Sequence, residues 1–121
     1  MNSKSLFVVV CSLFYSVNGI SNEADVLKVD VKKINTATYH FDVTVLHKDT
    51  GWDHYVNKWD IVDLQDNVLA TRILYHPHVN EQPFTRSLSD IHIPENIKTV
   101  KVQAHDLIHE YGGQELTVAL P

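Results

Sequence analysis

Apolar and polar residues alternate in short runs from Val26 to the end of the chain, with turn-forming residues between the runs. A period of two is the mark of a strand with one buried face. In the first run Leu27, Val29 and Val31 alternate with Lys28, Asp30 and Lys32. In the second, Tyr39, Phe41, Val43 and Val45 alternate with Thr38, His40, Asp42 and Thr44. The third covers Tyr55 to Leu64, with Trp59 and Ile61 as its core pair. The fourth, Val68 to Tyr75, alternates poorly, and its faces stay unassigned. The fifth spans Phe84 to Ile93. The sixth, Thr99 to His105, sets Val100, Val102 and Ala104 on one face, and the seventh turns Leu116, Val118 and Leu120 inward. Asn35-Thr36, Asp49-Thr50-Gly51, Gln65-Asp66-Asn67, Pro94-Glu95-Asn96 and Gly112-Gly113 supply the breaks. No stretch of useful length has a helical period. The pattern predicts an all-β, seven-stranded antiparallel sandwich like an immunoglobulin or fibronectin-III domain, with a small antiparallel barrel as the competing arrangement.

The pattern changes character before residue 20. Leu6 to Phe14 is a largely apolar run behind Lys4, too short to span a bilayer as a helix, and Val17-Asn18-Gly19 offers a cleavage site. Residues 1–19 are therefore expected to be a cleaved signal peptide, and 20–121 a single β-sandwich domain that is periplasmic or secreted. Cys11, the one cysteine, lies inside the apolar run, where lipid attachment is not expected. The mature chain would carry no thiol and no disulfide.

Charge narrows the partners. The whole chain has 15 acidic and 10 basic residues, a net charge of −5. Loss of the leader removes only Lys4 and gives −6. That balance argues against nucleic acid and anionic membrane surfaces. No second apolar span follows, so no membrane anchor is expected.

All eight histidines lie beyond residue 19. In a sandwich of successive antiparallel strands, alternate connections emerge at the same pole. His47 and His54 bound the connection between the second and third runs. His76, His78 and Glu81 lie between the fourth and fifth. His105 and His109 flank the start of the connection between the sixth and seventh, with Asp106 and Glu110. Six of eight histidines thus fall at one pole. Pro77 biases His76 towards extended backbone, which turns His76 and His78 the same way. His105 and His109 would share a face if residues 106–110 made one helical turn. Imidazoles with a carboxylate suit Zn²⁺ or Cu²⁺, and a chain without mature sulfur excludes a soft all-sulfur Cu⁺ site. The candidate ligands are His76, His78 and His105, then His54 and His109, with Glu81 as a carboxylate. Asp53, Asp106 and Glu110 could orient ring N–H groups. Any single histidine here is more often a surface or packed residue than a ligand. Only convergence lifts the group above that reading. His40 and His92 lie outside it.

Trp52 and Tyr111 sit beside glycines in two of these connections. They would form a pocket wall or sugar shelf, or simply cap the core. Arg72 and Arg86 would hold an anion or pair with carboxylates such as Glu81. No Gly-x-Ser-x-Gly, His-Glu-x-x-His or phosphate-loop motif occurs, so no motif assigns a reaction. Three functions stay open: binding of a transition metal, an interaction module for another periplasmic or surface protein or a glycan, and a small metal-dependent enzyme.

The segments Gly51-Trp52-Asp53-His54-Tyr55 with Trp59, then His76-Pro77-His78-x-x-Glu81-Gln82-Pro83-Phe84-Thr85-Arg86-Ser87-Leu88, then Ala104-His105-Asp106-x-x-His109-x-Tyr111-Gly112-Gly113 resemble an uncharacterised family of small secreted bacterial proteins. The resemblance covers about His47 to Pro121 and implies a Gram-negative periplasmic or secreted setting. The layout is also similar, at fold level, to superoxide reductases, which hold a multi-histidine iron site at one end of an immunoglobulin-like sandwich. Their iron takes a cysteine as well, which the mature chain would lack.

Overall fold

The computed structural model describes residues 22–121, so the expected leader lies outside the described residues. Seven strands follow one another: β1 (Asp25–Asn35), β2 (Thr38–Leu46), β3 (Val56–Val62), β4 (Val68–Ile73), β5 (Phe84–His92), β6 (Thr99–Asp106) and β7 (Leu116–Ala119). They form two antiparallel sheets, one ordered β1-β2-β5 and the other β4-β3-β6-β7. There is no helix among the described residues.

β2 follows its sequence pattern closely. Tyr39, Phe41, Val43 and Val45 are buried and the residues between them are not. β-branched and aromatic side chains suit a pleated face, and each large one buried contributes about 1.5–3 kcal/mol. From the facing sheet come Trp59, Ile61, Val100, Val102 and Ala104, all buried, joined by Leu116 and Val118.

β1 departs from simple alternation. Its register against β2 slips between Val26 and Lys28, so Val26 and Val29 enter the core and Leu27 is only partly buried. A bulge of this kind turns a side chain that strict alternation would send inward. β4 is an edge strand with no fully buried residue, which is why its sequence shows so little pattern.

The turns after β1, β3 and β5 lie at one pole. The connections β2–β3, β4–β5 and β6–β7 lie at the other, where hydrogen bonds tie them together.

Candidate metal centre

Three side chains arrive at this pole by continuing the inward alternation of their strands one step past the core. His47 follows Val45, Asp106 follows Ala104, and His54 precedes Val56, and those three apolar residues are buried. Where the apolar layer ends, the same period of two delivers polar groups to its rim.

The atoms converge closely. His47 Nε2 lies 3.1 Å from His54 Nε2, which lies 3.1 Å from Asp106 Oδ1. His47 Nε2 is 3.9 Å from Asp106 Oδ2, and His109 Nδ1 is 3.4 Å from Asp106 Oδ1. Four ligands bound tetrahedrally at about 2.0–2.1 Å are roughly 3.3–3.4 Å apart. The observed separations scatter around that figure. His47, His54 and Asp106 thus form a group that could hold a metal ion.

Proton counting points the same way. His47 Nδ1 faces Asp49 Oδ1 at 2.5 Å and must carry the hydrogen, because a carboxylate only accepts. In the neutral ring its Nε2 is then a bare lone pair. His54 Nε2 holds at most one hydrogen, and it faces both His47 Nε2 and Asp106. Asp106 Oδ2 and His109 Nδ1 are buried without a hydrogen-bond partner. The cluster is rich in lone pairs and poor in protons, which a cation would relieve. The side chains of His47 and Asp106 are fully buried, whereas those of His54 and His109 are 13% and 32% exposed, so solvent reaches the group from their side.

The β6–β7 connection builds its share through Asp106. Asp106 Oδ1 accepts the backbone N–H groups of Ile108 and His109 at 2.9 and 2.6 Å. The Glu110 N–H donates back to the Asp106 carbonyl at 3.0 Å, and Glu110 takes a left-handed φ of 55°. This tight turn swings the His109 ring to within 5.2 Å of the His54 ring. Burial alone would raise the Asp106 pKa. The N–H groups of His109 and Ile108, with His47 and His54 beside it, outweigh burial and hold the carboxyl below its ordinary value. Asp106 is therefore an anion at neutral pH.

Asp49 organises what lies behind His47. It is buried, and its Oδ1 also accepts the Val56 N–H at 3.2 Å while its Oδ2 accepts the His78 N–H at 2.7 Å. Gln82 completes the frame, accepting the His47 N–H at 2.9 Å and donating to the His78 carbonyl at 3.0 Å. A carboxylate behind a histidine fixes its tautomer and makes it a stronger ligand.

Among known proteins, no family model and no solved structure matches the sequence. A protein of Halomicrobium mukohataei named "Putative lipoprotein" is 38% identical over 96 residues. That match covers 79% of this chain and 47% of the relative. The chain thus spans about half the length of the curated relative it matches.

The residues singled out from sequence take several places. His54 and His109 lie in the cluster. His105 does not: β6 alternates, so Asp106 points inward while His105 sits on the outer face, 2.6 Å from Asn57 Oδ1 and with its ring 4.9 Å from that of Tyr111. His76 and His78 pair with each other, ring centroids 4.8 Å apart. His78 is buried, and burial first, then Arg86 and His76, lower its pKa from the ordinary histidine value. Glu81 is bound by Arg86 through contacts of 2.9 and 3.4 Å.

His47 and Asp106 were absent from the ligand set read from sequence, although each lies two residues beyond an apolar position already assigned inward. The role of Asp49 left no such signal, since it depends on how the loop folds back. Trp52 is 65% exposed and meets Tyr55 edge-on. Tyr111 donates its hydroxyl to the buried Asp60, which also accepts from Thr71. Burial first, then Asp60, raises the Tyr111 pKa, so the phenol stays protonated.

Proposed function

We propose that this chain is an extracytoplasmic β-sandwich that binds and handles one transition-metal ion at its loop pole. The ligands are His47, His54 and Asp106, with His109 as the fourth. The observation that carries this reading is the convergence of ligand atoms from His47, His54 and Asp106, with the His109 ring beside them. Three imidazoles and a carboxylate suit Zn²⁺ and Cu²⁺, and the carboxylate also makes Fe²⁺ acceptable. The sheet order supports an immunoglobulin or fibronectin-III type of sandwich, with the fourth strand in the second sheet rather than the first as in antibody constant domains. The apolar leader and the name of the Halomicrobium relative support a cell-envelope or secreted location, with residues 1–19 as the signal.

The test is retention of metal. Purified chain should keep one equivalent of Zn²⁺ against a moderate competing chelator, and His47→Ala with His54→Ala should lose it. Equal retention by the double variant and the parent would end this assignment.

Exposed apolar side chains favour a second reading of the same pole. Trp52, Tyr75, Val79 and Ile108 are all solvent-facing in or beside the three connections. They suit a docking face for another envelope or surface protein, or for a glycan. A partner that binds equally well in excess chelator would separate this role from the metal.

A further inference from the structure

The β4–β5 connection holds a pair of imidazoles that the central cluster does not use. His78 is only 5% exposed, yet neither of its ring nitrogens has a hydrogen-bond partner. Its ring stacks flat on Phe84, centroids 4.2 Å apart and planes at 9°. A phenyl or aliphatic side chain could fill that stack without leaving polar atoms unpaired, which costs about 1–3 kcal/mol each. The imidazole is thus a poor choice for packing alone.

His76 completes the arrangement. It is exposed, and its ring centroid lies 4.8 Å from that of His78 at a tilt of 39°. Two imidazoles bound to one ion at about 2.0–2.1 Å place their centroids roughly 4.5–5 Å apart. His76 Nδ1 lies 3.2 Å from the Pro77 carbonyl, which only accepts. Nδ1 therefore carries the hydrogen, and Nε2 keeps the lone pair.

The surrounding charge permits a cation. Arg86 is the positive group nearby, and Glu81 neutralises it through two contacts. Asp49 adds a carboxylate behind His78, where it accepts the backbone N–H.

We propose that His76 and His78 form a second, weaker site for a divalent transition-metal ion, Cu²⁺ above all, with water completing its coordination. Among divalent first-row ions Cu²⁺ binds nitrogen donors most strongly. This site stands apart from the central cluster, although both meet Asp49: one of its oxygens holds His47, the other the His78 backbone.

Titration of the full chain with Cu²⁺ alone, followed by electron paramagnetic resonance, tests the proposal. The parent should take up two equivalents with distinct signals. His76→Ala combined with His78→Phe, which refills the stack on Phe84, should lose the weaker equivalent and keep the tighter one. His76→Ala alone alters an exposed residue, so it should lose the same signal with the fold untouched. A single equivalent in the parent that survives both variants would overturn the proposal. So would a second equivalent that survives in both variants, which would mark an adventitious ion only. Loss of one equivalent in these variants, with uptake unaffected by His47→Ala and His54→Ala, would support this pair while removing the central assignment.

Discussion

Replacing Asp49 with asparagine keeps the shape of the group behind His47 but removes its charge. His47 Nδ1 would then face an amide, which is a weaker acceptor and can turn its NH₂ towards the ring. Loss of such a partner typically weakens metal binding about 10–100-fold. Asp49→Asn should therefore raise the dissociation constant for Zn²⁺ by that order in a competition titration, without touching a ligand. An unchanged constant would mean that His47 needs no such support. A different residue governs acid stability. The Ser87 hydroxyl donates to Asp42 and, as the largest influence, holds its carboxyl below the ordinary value of 3.8. A carboxyl lowered on folding adds stability that is whole above its unfolded pKa and is lost as pH falls through the folded one. Ser87→Ala should thus be less stable than the parent near neutral pH, with the gap closing below about 3.8. Denaturant titrations across that window would read this directly, and a gap that widens in acid would contradict it.

At the scale of elements, the pole depends on how the N-terminal segment seats against the β6–β7 connection. A side chain at Gly113 would place its Cβ 1.9 Å from the Ala24 carbonyl oxygen, a clash with backbone that no rotamer relieves. That segment is held by bonds from the Val26 N–H to the Gln114 carbonyl and from the Gln114 N–H to Asp25. Gly113→Ala should cost about 1–3 kcal/mol, as overpacking generally does, measured by chemical unfolding. A neutral result would show that the two segments can part without loss. Strand positions and inward faces were legible for β2, β6 and β7 because their alternation is clean, whereas β3 buries Trp59 to Val62 without a break. β1 departs from its alternation at Leu27, since a bulge leaves no mark in hydrophobicity. β4 was unreadable because an edge strand has no fully buried face to pattern. The candidate cluster was legible only in part, for a related reason. Histidines within loops stand out in the sequence, while the period of two that locates the core also carries His47 and Asp106 inward.

For the whole molecule, the parity of connections matters most. Two sheets joined by successive crossings bring His47 and His54 from one connection to Asp106 and His109 of another, more than fifty residues away in sequence. The apolar layer beneath excludes water from His47 and Asp106, and the exposed side at His109 leaves an entry route. X-ray absorption at the zinc edge, on chain loaded with one equivalent, addresses the centre itself. It should find three imidazole nitrogens and one carboxylate oxygen at about 2.0–2.2 Å, with the multiple scattering of bound histidine rings. A shell of oxygen alone, or one with a single imidazole, would contradict the account.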